Sequence, residues 1–202
     1  MASQQTAPPL KARSFTSKYL RLFHAPDVCV LQDRVVGEIN EALTRSNALV
    51  VPISLSRVVR QFAINPTPLY VDQINPGCLR YEPSVKEFRI ILDRRLQTDT
   101  ESLLFNEEEG LRIRQRFTYA HEVAHRFFFC ATPAGWKRAI EMIAEAEPSQ
   151  RALGVYRILN RVEERLCNRI AGRILIPDGH LVLLCYKGDT STSVSLAVQI
   201  VG

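Results

Sequence analysis

Two periods of apolar positions run along this chain. In QDRVVGEINEALTRS, Val35, Val36, Ile39 and Leu43 recur at helical spacing, which predicts an amphipathic helix over 33–46. PISLSRVVRQFAI places Leu55, Val58, Val59 and Phe62 on one face behind Ser54 as N-cap, a second and shorter helix. From 68 to 93 the pattern shortens: PLYVDQI, GCLRYEP and EFRIILD are rich in β-branched and aromatic residues and are separated by NPG and PSVK. They predict three strands in a small antiparallel meander. RRLQTDTESLLFNEEEG is polar and aperiodic and reads as a surface loop. Helical spacing then dominates, with helices expected over 110–130, over 135–147 before Pro148, and over 150–175 before Pro177. Strands followed by helices, without βαβ alternation, imply an α+β fold. A helix-turn-helix built from the first two helices is disfavoured by their long, proline-containing connection.

At 202 residues and 46% hydrophobic, the chain suits one domain, residues 16–202, behind a polar, proline-containing and mobile tail, residues 1–15. No apolar run reaches the length of a membrane span, and the start lacks the apolar stretch of a secretory signal. The five cysteines (Cys29, Cys78, Cys130, Cys167, Cys185) are odd in number and hold no C-x-x-C pair. That points to small core residues in a reducing compartment, the cytoplasm, rather than to a disulfide framework. The net charge of +5 is compatible with an acidic or nucleic-acid partner without demanding one.

The chemistry concentrates in RQRFTYAHEVAHRFFF, residues 114–129. On a helix, positions i and i+4 share a face, so His121 and His125 can aim ring nitrogens at one ion. Glu122 then flanks the same spot, placed to take a proton from an activated water. The alternative is two histidines on a partly buried helix with no ion between them. Phe117, Ala120, Ala124 and Phe128 offer dry walls that favour the metal.

A catalytic zinc needs a third protein ligand. The metzincin pattern would put glycine and histidine where this chain has Phe128 and Ala131, so that class is excluded. The remaining source is the long helix RALGVYRILNRVEERLCNRIAGRILIP. Its main buried face carries Val155, Ile158, Leu159, Val162, Leu166 and Ile170, and Arg157, Arg161, Arg165, Arg169 and Arg173 trace a basic ridge. A third strip of small, uncharged residues holds one charge, Glu164, which needs a partner; a metal can supply it, and a salt bridge to Arg161 or Arg165 is the alternative. Glu163, at the edge of the apolar face, is the competing ligand and can instead pair with an arginine. Asn168, one turn beyond Glu164, is placed to hydrogen-bond a ligating histidine and set its ring. Tyr119, Tyr156, His180 and Tyr186 are candidate donors to a developing oxyanion. The arginine ridge reads as a solvated face, so direct nucleic-acid binding is not expected.

With RQRFTYAHEVAHRFFF followed by EERLCNRIAGRILIP, the chain resembles the ImmA/IrrE metallopeptidases over roughly residues 30–180. In that family an RFTxAHExxH helix follows a small sheet, and a later helix reads ExxxN…LLxP. The Glu164–Asn168 pair matches the spacing of the later helix, and Ala124 stands where the family commonly has glycine. The resemblance implies a zincin-like core and a site of His121, His125 and Glu164 holding Zn²⁺, with Mn²⁺ as the other option. Glu122 would be the catalytic base. It also implies hydrolysis of a protein substrate, a helix-turn-helix repressor of the Xre/Cro type, that relieves repression of stress-response genes. The competing class is a non-catalytic metal-binding regulator that captures a repressor or toxin.

Overall fold

The computed structural model describes residues 10–47, 53, 55–97 and 105–176. Ser54, residues 98–104 of the expected loop, His180, Tyr186 and the first nine residues lie outside the described residues; the end of that loop, from Phe105 on, is helical instead. Those described form a mixed α+β fold with five α-helices, a three-stranded sheet and a two-stranded sheet. None of the described helices is long and apolar enough to cross a membrane. The backbone clusters into two units, residues 1–33 with 128–166, and residues 34–127 with 167–202.

The first unit contains α1 (Leu10–Leu22), β4 (Phe129–Thr132), β5 (Gly135–Arg138), α4 (Ala139–Glu145) and most of α5 (Ser149–Leu175). Helix α1 begins inside the stretch expected to be tail. Tyr19 and Leu20 bury its inner face, and Tyr19, Phe23 and Phe128 stack with centroids 5.1–6.2 Å apart. The strands β4 and β5 correct the expected helices over 110–130 and 135–147. After His125 the aromatic run does not continue the helix. It makes a 3₁₀ turn (Arg126–Phe128) and then an antiparallel hairpin, with Thr132 opposite Gly135. The physical reason lies in Pro133 and Gly135. Pro133 has no N–H for a helix, and Gly135 takes φ 125°, open to glycine alone.

A buried ion pair ties this unit together. Glu163 on α5 is fully buried and accepts from Arg138, at the end of β5, through Nη2 at 2.6 Å and Nε at 3.2 Å. Its other oxygen accepts from the Tyr19 hydroxyl at 2.8 Å. Arg138 also donates to Asn160 Oδ1 at 3.1 Å and to the Tyr156 hydroxyl at 3.3 Å. Burial alone would lower the pKa of Arg138, but the charge and hydrogen bonds of Glu163 outweigh it and hold it up.

The second unit contains most of α2 (Val28–Arg45), two 3₁₀ turns (Leu55–Arg57 and Val59–Phe62), β1 (Leu69–Val71), β2 (Gly77–Glu82), β3 (Glu87–Asp93), α3 (Phe105–His125) and the end of α5. Helix α2 starts at Val28, five residues before the expected start at 33, because Asp27 caps it by accepting from Val30 N at 2.9 Å. The expected helix after Ser54 is two 3₁₀ turns, the second closed by Ala63 in the left-handed region.

The antiparallel meander is corrected to a mixed sheet of order β1-β3-β2. β2 and β3 form the hairpin, while β1 pairs parallel to the far edge of β3, with Leu69 opposite Ile91. The centre falls to β3 because Phe88, Ile90 and Leu92, all on one face, are fully buried. The proline-containing segment 72–76 provides no tight turn, so it carries the chain past the end of β3, where Asp93 N bonds to Pro76 O at 2.9 Å. Helix α3 packs across β2 and β3, burying Ala120, Val123 and Ala124.

Glu163→Ala would leave the Arg138 guanidinium buried without its carboxylate. Urea denaturation should show a loss of about 3–5 kcal/mol of stability, the range for breaking one side of a buried pair.

Candidate metal centre

Helix α3 delivers both histidines one turn apart. Their rings lie 4.8 Å apart at 70° to each other, and the two Nε2 atoms are separated by 3.0 Å. Arg126, the residue after His125, donates through Nε to Phe62 O at 2.8 Å and lays its guanidinium 4.5 Å from the Phe88 ring centroid. Burial lowers the pKa of Arg126. That anchor fixes the last turn of α3 against the sheet, and the histidine rings with it.

Asn168 accepts from His121: its Oδ1 lies 3.0 Å from Nδ1. With its proton committed on Nδ1, the His121 ring presents Nε2 as a bare acceptor, the form a metal needs. Helix α5 carries Glu164 one turn before Asn168. One ligand atom from each of His121, His125 and Glu164 lies within 4.8 Å of the others. The residues fit a metal. Two nitrogens about 2.05 Å from a tetrahedral ion stand about 3.3 Å apart, close to the separation observed, and two imidazoles with one carboxylate form a known zinc donor set.

Glu122, between the two histidines in sequence, is 4% exposed. Glu163, the competing ligand, has its two oxygens engaged by Arg138 and Tyr19. It does not belong to the histidine group.

The candidate oxyanion donors that are described point elsewhere. Tyr119 donates to Pro66 O at 3.1 Å, and burial pushes its pKa up to about 12. The Tyr156 hydroxyl takes a hydrogen bond from Arg138. Tyr119 also lines a cavity of about 360 Å³ with Leu55, Pro66, Pro68, Tyr70 and Arg116. Its size is at the small end for a ligand pocket. Arg157, Arg161, Arg165 and Arg169 are exposed on α5. Because four residues exceed one turn, the row winds about 40° per step and offers no single flat basic face.

Sequence reasoning missed Arg138, the cation that occupies Glu163. A recognised hairpin at Pro133–Gly135 would have placed Arg138 beside α5 as the partner Glu163 needs. A scan against protein-family models and searches of curated proteins and of solved structures find no match to this chain.

Asn168→Ala frees the His121 ring to turn and to change tautomer. Competition against a chromogenic chelator should show zinc affinity about 10- to 100-fold weaker, with the helical circular-dichroism signal unchanged.

Proposed function

We propose that this chain is a zinc-dependent endopeptidase with a zincin-like core. It would act in the cytoplasm on a helix-turn-helix repressor of the Xre/Cro type and so relieve repression. The observation that carries the reading is the convergence of His121, His125 and Glu164, with the buried Glu122 next to His121 in sequence. The resemblance of the α3 and α5 motifs to the ImmA/IrrE metallopeptidases supports the choice of substrate.

In this reading His121, His125 and Glu164 hold the ion, Zn²⁺ or alternatively Mn²⁺. When bound, the ion supplies Lewis acidity, which acidifies a water and polarises a peptide carbonyl. The protein does the rest. Glu122 takes the proton of the attacking water and returns it to the departing amine, as a carboxylate in a nearly dry setting is suited to do. Asn168 holds His121 in its ligating tautomer. Glu163 stays with Arg138, so the neighbouring carboxylate does not compete for the ion.

Elemental mass spectrometry should find about one zinc per chain, retained in Glu163→Gln and lost in Glu164→Gln. A wild-type chain that stays metal-free after reconstitution overturns the reading. The zinc-loaded chain, incubated with purified Xre/Cro-type repressors, should cut its target. Glu122→Gln should keep the zinc and slow cutting by about 10²- to 10⁴-fold. A repressor that is bound and left intact by the wild-type chain would instead make this a non-catalytic regulator.

A further inference from the structure

Residue 77 has no side chain, and the structure leaves no room for one. A Cβ built on Gly77 would stand 2.7 Å from Thr118 Cγ2, 2.9 Å from Glu122 Oε1 and 3.1 Å from Glu122 Cγ. The first two are closer than carbon atoms of folded proteins approach such neighbours. The need is not conformational, since Gly77 pairs with Leu92 as a regular strand residue. Nor is it general: a Cβ at Gly37, Gly154 or Gly172 would meet nothing within 4 Å. Thr118 and Glu122 are four residues apart and share one face of α3. The first residue of β2 is therefore seated on that face, with the Glu122 carboxylate against bare backbone. The next residue registers the same proximity. The Cys78 thiol is pushed up first by burial and then by the Glu122 charge.

Resting on the peptidase reading, we infer that Gly77 is a positioning residue for Glu122. The strand backbone is a wall that limits where this carboxylate can go, and it does so because residue 77 ends at Cα. The two neighbours would yield differently to an added methyl. Thr118 is β-branched and stiff about χ1, while Glu122 has three rotatable bonds. Alanine at 77 therefore displaces the Glu122 carboxylate from its place, and it adds strain against Thr118.

The test uses the zinc-loaded full chain and acetohydroxamate, a small chelator that binds zinc through its two oxygens and passes its hydroxyl proton to a nearby carboxylate. Zinc stoichiometry and the thermal midpoint are read in parallel. Gly77→Ala should retain zinc and bind acetohydroxamate about tenfold more weakly or worse, as misplacement of a catalytic group does. Adding Thr118→Ala removes Cγ2 and should restore the thermal midpoint while leaving acetohydroxamate binding weak. In a Glu122→Ala background, Gly77→Ala should add no further loss, because the group it acts through is gone. The inference is overturned if Gly77→Ala binds the probe like wild type. It is equally overturned if binding recovers together with stability in the Thr118→Ala double variant, or if the loss persists in the Glu122→Ala background. A wild-type chain that takes up no zinc overturns the metal reading, and this inference with it.

Discussion

A fully buried carboxylate must find a cation, and in this chain Glu163 finds Arg138. That pair decides how α5 is turned about its axis. Adjacent residues on a helix point about 100° apart, so fixing Glu163 inward against Arg138 and Tyr19 leaves Glu164 no choice of direction. Rotating α5 by one residue to exchange the two glutamates would strand the Arg138 guanidinium. It would also put Glu164 where Tyr19 donates. The direction of Glu164 on α5 therefore depends on a pair to which it does not belong.

Both helices that carry the group use the same one-turn spacing. His121 and His125 lie four apart on α3, and Glu164 and Asn168 lie four apart on α5. The repeat has a consequence for orientation: the residue one turn beyond the carboxylate reaches the outer nitrogen of the first histidine. A single turn of each helix thus provides a ligand set and the hydrogen bond that fixes one ring. The C-terminal anchor of α3, Arg126 on Phe62 and Phe88, keeps the histidine turn from fraying.

What could be read in advance follows the range of the interactions involved. The His121–His125 spacing, the strip on α5 holding Glu164 and Asn168, and the pairing of Glu163 with an arginine depend on helical periodicity and on the cost of a buried charge. Both are visible in a linear sequence. The edges of the sheet were not. EFRIILD was recognisable as a strand, but its central place and the parallel approach of PLYVDQI depend on non-local edge pairing. Phe127–Phe129 misled for a different reason, since a run of aromatics satisfies a helical and an extended pattern equally. Only Pro133 and Gly135 beyond it break the tie. Gly77 was invisible in principle. Its role lies in what a missing atom permits against Thr118 and Glu122, and the sequence records only a glycine after a proline.

Three glutamates thus stand in three settings, and their surroundings, more than their chemistry, separate them. Glu163 is neutralised on both oxygens and serves the fold. Glu164, half-buried, keeps an oxygen within 4.8 Å of the histidine nitrogens. Glu122 is nearly as buried as Glu163, and its carboxylate lies against the backbone of Gly77. The same side chain is thus held for the fold where a guanidinium and a hydroxyl engage its oxygens, within reach of an ion where it stands near two imidazoles, and confined by bare backbone where it lies against a strand.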